Sequence, residues 1–463
     1  MLNNKVEKKI DNFKDLMQSY IIKSSFNKKV IERLIQIILS YNRKKLSDDN
    51  YTLETISNVQ VLINVSIFLF LYFLTFIILL TKFLYPFRII NRNFNLFYGF
   101  SFPYKVKNYN NFLNNAFNLD GYNLFNNKLF HFNKYIFFKE PLIPAFLISK
   151  ASYKELIYIV FFHFCSFFYF LKLITKNRIF SYLYKDYSFY SIGMFLSQEK
   201  SIKNIFYNNT SCASQYFFLR NEKFNTIFFP YSFNFVDPLF NDNHNYTDPL
   251  IKRIFAQHAI LPDKSFVKLF SEYKFINYFS FNKNLFLKYF SQPKSNLLSK
   301  YNLNINEKKI ISIFDVAPYK IKIVRSIFYN KTGGIYNSNY IIKFYKDLLK
   351  FYSRKDFVFI LKVKRNILND DIYDERYLKF IESLNRKPNI ILVDNDINLV
   401  DLIKSSNAII GVPFSTPVFI ASLFNSNTYF YNPLKKIIFS DFLPINCRMI
   451  NGFHNLKIKI GIL

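Results

Sequence analysis

Four clusters of polar and charged residues in the last third of the chain each close a short apolar run. Asp315 sits in Phe314-Asp315-Val316-Ala317-Pro318, after KIISIF. Lys362, Lys364 and Arg365 close FVFILKVKR. Asp394 and Asp396 follow NIILV, and Gly411-Val412-Pro413-Phe414-Ser415-Thr416-Pro417 follows NAII. Lys362 and Lys364 alternate with Val363 and so share a face, while Arg365 falls in the following loop. Cations in that arrangement neutralise a diphosphate, and Arg binds it bidentately. The other reading is a solvated basic loop in a Lys-rich chain. In the fourth cluster Pro417 suits the first turn of a helix, and Ser415 or Thr416 is the natural N-cap. Free N–H groups and a partial positive charge there suit a phosphate. Plain capping is the alternative. Asp315 fits a base, a ribose-hydroxyl acceptor or a turn former beside Pro318. Asp394 and Asp396 read as the cap region of the next helix. Gly333-Gly334, adjacent in a chain with 8 glycines, mark a required backbone conformation, either a ligand-contacting loop or a simple turn.

The elements that must position these groups alternate regularly. Strands are predicted at Lys309–Val316, Phe357–Val363, Asn389–Val393, Asn407–Gly411 and Thr428–Tyr431. Helices are predicted at Asn337–Phe351, Ile372–Leu384, Ile397–Lys404 and Thr416–Phe424. The strand runs are short, continuous and rich in β-branched residues, as in a parallel sheet buried on both faces. Alternating βαβα order gives such a sheet, and its ligands bind beyond the carboxyl ends of the strands. All four clusters lie at those ends.

The region 86–300 carries Asn-rich loops and aromatic runs, with a strand predicted at Thr226–Phe229 and helices at Val267–Phe275 and Leu285–Phe290. The polar stretch Ser291–Lys308, with Pro293, marks the best boundary. We divide the chain into an N-terminal helical extension (1–58), a membrane helix (59–85), an N-terminal domain (86–300) and a C-terminal domain (301–463). The extension holds a surface helix within Ile21–Leu39, from the spacing of Val30, Leu34, Ile37 and Ile38. From Thr55 to Thr81 no charged residue occurs, and Val61–Leu80 is long enough to span a bilayer. Lys82, Arg88 and Arg92 follow it. Leu156–Leu171 is shorter and contains His163, so it reads as a buried helix of the soluble part. One crossing then places everything after Lys82 in the cytoplasm, because the segment to Lys154 is basic, with Asp120 and Glu140 as its only acids.

Composition bounds the function. The 463 residues include 60 Phe, 35 Tyr and no Trp, with 62 Lys and Arg against 31 acids for a net charge of +31. Phe, Tyr, Ile, Asn and Lys share A- and T-rich codons, so the bias is genomic first. The basic residues are dispersed, without a zinc-finger spacing or recognition helix, and no nucleic-acid partner is expected. Five His occur without HExxH, and three cysteines lie far apart. No metal site or disulfide framework is expected, and a reducing compartment is favoured.

FDVAP, the KVKR strand end, DLIKSSNAIIG and GVPFSTPVFIA, in this order over Lys309–Leu434, resemble the bacterial surface polysaccharide biosynthesis proteins named for a Pro-Phe-Thr-Ser motif. FFPYSFN (Phe228–Asn234) matches an upstream Tyr-Ser stretch more weakly. Ser415-Thr416 stands here in the reverse of the family order, and both residues keep a hydroxyl. The resemblance implies a GT-B-like α/β fold: two Rossmann-like domains, the C-terminal one a parallel sheet, with the helical and membrane segment ahead of them. It implies a glycosyltransferase in O-antigen or capsule assembly at the cytoplasmic face of the inner membrane. The partners would be a nucleotide-sugar donor, used as substrate with no cofactor, a lipid-linked or growing glycan acceptor, and the cytoplasmic membrane. The donor and phosphate residues inferred by position are Lys362, Lys364, Arg365, Ser415, Thr416, Gly333, Gly334 and Asp315. The catalytic base is unassigned, with His244, Asp237 and His258 as candidates. Alternatives on the same fold are a polyol-phosphate transferase, a sugar epimerase, or a non-catalytic membrane-associated assembly factor.

Overall fold

The structure, a computed structural model, describes residues 8–15, 25–41, 56–84, 94–97, 121–123, 153–191, 202–208, 224–230, 232–233, 253–270, 275–291, 308–322, 337–351, 354, 356–363, 372–384, 387, 389–393, 397–424, 427–435 and 446–462. These residues build two six-stranded sheets in which every strand pairing is parallel.

The second sheet contains the runs expected from the sequence. Its strands are β7 (Lys309–Phe314), β8 (Phe357–Lys362), β9 (Ile390–Val393), β10 (Ala408–Gly411), β11 (Asn427–Asn432) and β12 (Cys447–Asn451). Their spatial order is β12-β11-β10-β7-β8-β9. That is the Rossmann order, which reverses between the first and fourth strands of the domain, here β7 and β10. All four residues of β10 are buried, as the continuous apolar run requires. Helices α5 (Ser338–Leu348), α6 (Glu375–Leu384), α7 (Leu399–Lys404), α8 (Thr416–Ser422) and α9 (Gly452–Ile462) belong to this half. Asn337 caps α5 by accepting from the Asn339 N–H at 2.9 Å. Asn398 caps α7 by accepting from Val400 and Asp401 at 2.9 and 3.3 Å.

The first sheet is built from shorter strands: β1 (Phe94–Phe97), β2 (Gly121–Asn123), β3 (Ile202–Tyr207), β4 (Asn225–Phe228), β5 (His258–Leu261) and β6 (Tyr278–Phe281). Its order is β2-β1-β3-β4-β5-β6. This is the other doubly wound order, and its direction changes between β1 and β3. Helix α4 (Lys283–Phe290) follows β6, capped by Asn282, which accepts from the Leu285 N–H at 3.0 Å. The chain is therefore α/β, with two Rossmann-like domains behind an N-terminal helical segment, in the GT-B-like arrangement that the resemblance implied.

Helices α1 (Ser25–Tyr41), α2 (Asn58–Leu84) and α3 (Tyr153–Lys176) pack around the segment Arg178–Ser188. Two expectations change here. The helix within Ile21–Leu39 is not a surface helix, because Val30 to Leu39 are all buried. Its polar residues have protein partners. Arg33 Nε donates to both Asp186 carboxylate oxygens at 3.1 and 3.0 Å, and Glu32 accepts from Arg253 at 2.7 Å. The segment Leu156–Leu171 is part of a 24-residue helix that is buried on one side only. Its inner face carries His163, hydrogen-bonded to Ser191 Oγ and to the Tyr72 carbonyl, each at 3.0 Å. Its outer face leaves Ile157, Phe161, Phe164 and Phe168 exposed.

Smaller differences are local. Of the helix expected over Val267–Phe275, residues 267–270 belong to the 3-10 turns of Lys264–Phe270, and 271–274 lie outside the described residues. Helix α8 stops at Ser422, where Leu423 and Phe424 turn back onto the carbonyls of Ile420 and Ala421. The described residues end at Ser291 and resume at Lys308, so the expected boundary at 300/301 lies outside them.

Candidate functional site

The loop that follows β10 is a tight turn with little freedom. Val412 N–H donates to the Phe314 carbonyl at 3.0 Å, tying the ends of β10 and β7 together. Ser415 N–H turns back onto the Val412 carbonyl at 3.1 Å, and Phe414 takes a left-handed φ of 65°. A bulky residue adopts that region only when its surroundings hold it there. The Phe414 side chain is buried, with its ring 5.7 Å from that of Phe430. Gly411 is required for packing. A Cβ there would sit 2.3 Å from Val418 Cγ2 and 2.6 Å from Ser415 Oγ.

Ser415 occupies the N-cap position of α8 in extended conformation, but its side chain makes no capping hydrogen bond. Its hydroxyl is buried, faces Gly411 and has no hydrogen-bond partner among the described residues. Thr416 has a different task. Its Oγ1 accepts from the Phe233 N–H at 3.0 Å and lies 3.1 Å from Ser232 Oγ. Ser232 and Phe233 follow β4, so the hydroxyl of Thr416 joins the carboxyl end of a strand in one sheet to that of a strand in the other. The rings of Phe233 and Phe266 pack 5.8 and 6.0 Å from Phe419 of α8 and reinforce the joint. The segment Phe228–Asn234, noted in the sequence for resemblance alone, thus meets the motif through its described residues Ser232 and Phe233.

Asp315 follows β7 directly and is buried. Its Oδ2 accepts from the Tyr345 hydroxyl of α5 at 2.8 Å and, more closely, from the Tyr377 hydroxyl of α6. Burial, and after it the charge of Asp315, hold both phenols well above the usual tyrosine range. Both therefore remain donors. The next residues, Pro318 to Lys320, are clasped by the strand-like segment before α6. Tyr319 and Tyr373 form an antiparallel bridge with stacked rings, and Lys320 N–H donates to the Ile372 carbonyl at 2.9 Å. Asp315 is thereby an anchor that fixes the exit of β7 against two helices.

Lys362, the last residue of β8, pairs in register with Phe314 of β7 and Val393 of β9, and is half-buried. It stands at the same sheet edge as Asp315 and Gly411. Lys364, Arg365, Gly333, Gly334, Asp394 and Asp396 lie outside the described residues, as do His244 and Asp237. The described cap of α7 is Asn398. His258 opens β5, at the amino end of its strand, with its ring stacked 5.1 Å from Tyr278. The joint lies at the carboxyl ends, so the topology separates His258 from it. The crevice beyond β7 and β10 is a point where strand order reverses, the place where doubly wound sheets bind ligands.

A family described as polysaccharide biosynthesis PFTS motif proteins matches residues 169–459. No curated protein sequence matches the chain. Among solved structures, the sucrose-phosphate synthase of Thermosynechococcus elongatus is 11% identical over 60% of this chain and 69% of its own, with a TM-score of 0.36. TarM is 10% identical over 60% of this chain and 51% of its own, with a TM-score of 0.33. The wall teichoic acid polymerase TagF is 13% identical over 59% of this chain and 65% of its own, also with a TM-score of 0.33. At such scores the superpositions are loose, and the fold assignment rests on the two strand orders.

Proposed function

The chain belongs to the polysaccharide biosynthesis PFTS motif family, and we propose that it is a glycosyltransferase that uses a nucleotide-sugar donor in bacterial O-antigen or capsule assembly. One observation carries this reading: Thr416 joins the carboxyl ends of two doubly wound sheets, one of them beside a point where strand order reverses. Two facing halves offer a two-substrate reaction one surface for each substrate and can hold the two in reacting geometry.

In this reading the donor lies against the second sheet. Lys362, Lys364 and Arg365 face the diphosphate, the Ser415-Thr416 turn and the Gly333-Gly334 loop close around it, and Asp315 holds the floor in place. The bond between sugar and diphosphate breaks. A new bond forms to an acceptor hydroxyl, whose proton is released, and the nucleoside diphosphate leaves. Fixed cations stabilise the leaving charge, so the chemistry requires no cofactor. The acceptor is a lipid-linked or growing glycan, approached from the first sheet at the cytoplasmic face of the inner membrane.

The test is to incubate the full chain with a panel of nucleotide sugars and lipid-linked acceptor, and to follow both diphosphate release and product mass. The expected result is one sugar mass gained by the acceptor per diphosphate released. Transfer of a phosphorylated polyol, or an altered sugar without transfer, would replace this reading. Nucleotide binding without turnover across the panel would make the chain a non-catalytic assembly factor.

A further inference from the structure

Helices α2 and α3 run antiparallel. Phe68 meets Phe170 at 4.2 Å between ring centroids, Tyr72 stacks on His163 at 3.9 Å, and Phe76 meets Phe164 at 5.6 Å. The inner side of α2 also binds the protein through polar groups. Asn64 Nδ2 donates to Ser181 Oγ at 3.2 Å, and the Phe68 carbonyl accepts from Ser188 Oγ at 3.4 Å. The outer side is a stripe of Val59, Leu62, Ile63, Ser66, Phe70, Phe73, Ile77 and Leu80, all exposed at helical spacing and polar only at Ser66. On α3 the exposed stripe Ile157, Phe161, Phe164 and Phe168 continues into Lys172. Exposed apolar patches of this extent on a soluble surface mark an interaction site.

Both helices are long and apolar enough to cross a bilayer. Their flanks forbid it. Before α2 comes α1, held in the body by the buried Arg33–Asp186 and Arg253–Glu32 pairs. After α2 comes β1, hydrogen-bonded between β2 and β3 in the first sheet. The same sheet brackets α3, with β2 before it and β3 after it. Each helix therefore has both flanks in one folded body, and a single crossing would pull that body apart.

We infer that α2 and α3 form a monotopic anchor, lying in the plane of one leaflet with their shared outer face among the acyl chains. The occupant is an anionic lipid surface. Apart from Ser66 the stripe is apolar, the chain carries a net charge of +31, and Lys172, Lys176 and Arg178 are exposed where α3 ends, placed to reach lipid headgroups. This rests on the proposed membrane location and is independent of the transfer chemistry.

The absence of Trp from the chain makes a depth measurement direct. Leu62→Trp, Phe73→Trp and Leu80→Trp each place a single fluorophore on the exposed stripe. The full-length variants are bound to vesicles of phosphatidylglycerol and phosphatidylethanolamine that carry bromines at graded acyl depths. The expected result is quenching of all three at one shallow depth, about 5–10 Å into the boundary between headgroups and acyl chains. Phe73→Trp deep at the bilayer centre, with the other two shallower, would show a crossing and overturn the anchor while sparing the membrane location. No quenching at any position would overturn both. A Phe70→Asp/Phe73→Asp/Phe168→Asp variant should keep its thermal midpoint and lose vesicle flotation at least tenfold. If it instead converts an oligomer to a monomer with flotation unchanged, the face meets a second copy and the proposal fails.

Discussion

Ser415 and Thr416 are neighbours of similar chemistry with opposite roles, and substitution separates them. Thr416→Ala removes two contacts between the domains, worth about 0.5–1.5 kcal/mol each, and should lower the thermal midpoint. Thr416→Ser keeps the hydroxyl and should restore most of the loss. Ser415→Ala removes a buried hydroxyl with no partner among the described residues, so stability should be unchanged or slightly higher. Scanning calorimetry of the three variants decides. An equal loss for Ser415→Ala would contradict the assignment. The Asp315 anchor gives a pH signature. Tyr345 and Tyr377 titrate well above the usual range when folded and near about 10 when unfolded. The folded state then holds more protons above about pH 10, so this stability is complete below that value and is lost as pH rises further. Denaturant unfolding at pH 8 and pH 11 should show the drop, and Tyr345→Phe with Tyr377→Phe should shrink it. The sequence made these residues visible as hydroxyls, a carboxylate and tyrosines. It did not show which were already engaged, because Ser232 is 184 positions from Thr416 and no local pattern encodes such a contact.

At the scale of elements, legibility followed the length and purity of each apolar run. KIISIF and FVFILK are continuous enough to stand out even in a Phe-rich chain, and β7 and β8 form there. CRMIN has Arg and Asn in five residues, so β12 and the α9 that follows went unread. In the first sheet, IKNIFY and FNLF resemble the aromatic sequence around them and carry no distinct strand signal, so β3 and β1 are not legible there. Helix α1 misled in the opposite direction. Arg33 and Gln36 gave it a polar side, and that side is turned inward onto Asp186 and the Arg253 carbonyl. Breaking this pair should be costly, because a buried charge is left without its partner. Asp186→Ala is expected to destabilise by about 3–5 kcal/mol, measured by chemical denaturation. Gly411→Ala should cost about 1–3 kcal/mol through overpacking against Val418 and Ser415.

For the whole molecule, the sequence carried the two-domain plan through one half only. Alternation of strands and helices after Lys309 revealed the second sheet, whereas the first depends on strands of three to six residues separated by long insertions. Its order, and with it the position of His258 at the far end of β5, exists only in three dimensions. In the proposed function a nucleotide donor binds at the carboxyl edge of the second sheet. An azido-nucleoside diphosphate photoprobe tests it on the full chain, with the labelled peptides mapped by mass spectrometry. The expected label falls within residues 314–320, 362–366 and 411–416, is displaced by unlabelled nucleoside diphosphate, and weakens in Lys364→Ala/Arg365→Ala. Specific, displaceable label at the amino ends of the strands or on the first sheet alone would contradict it.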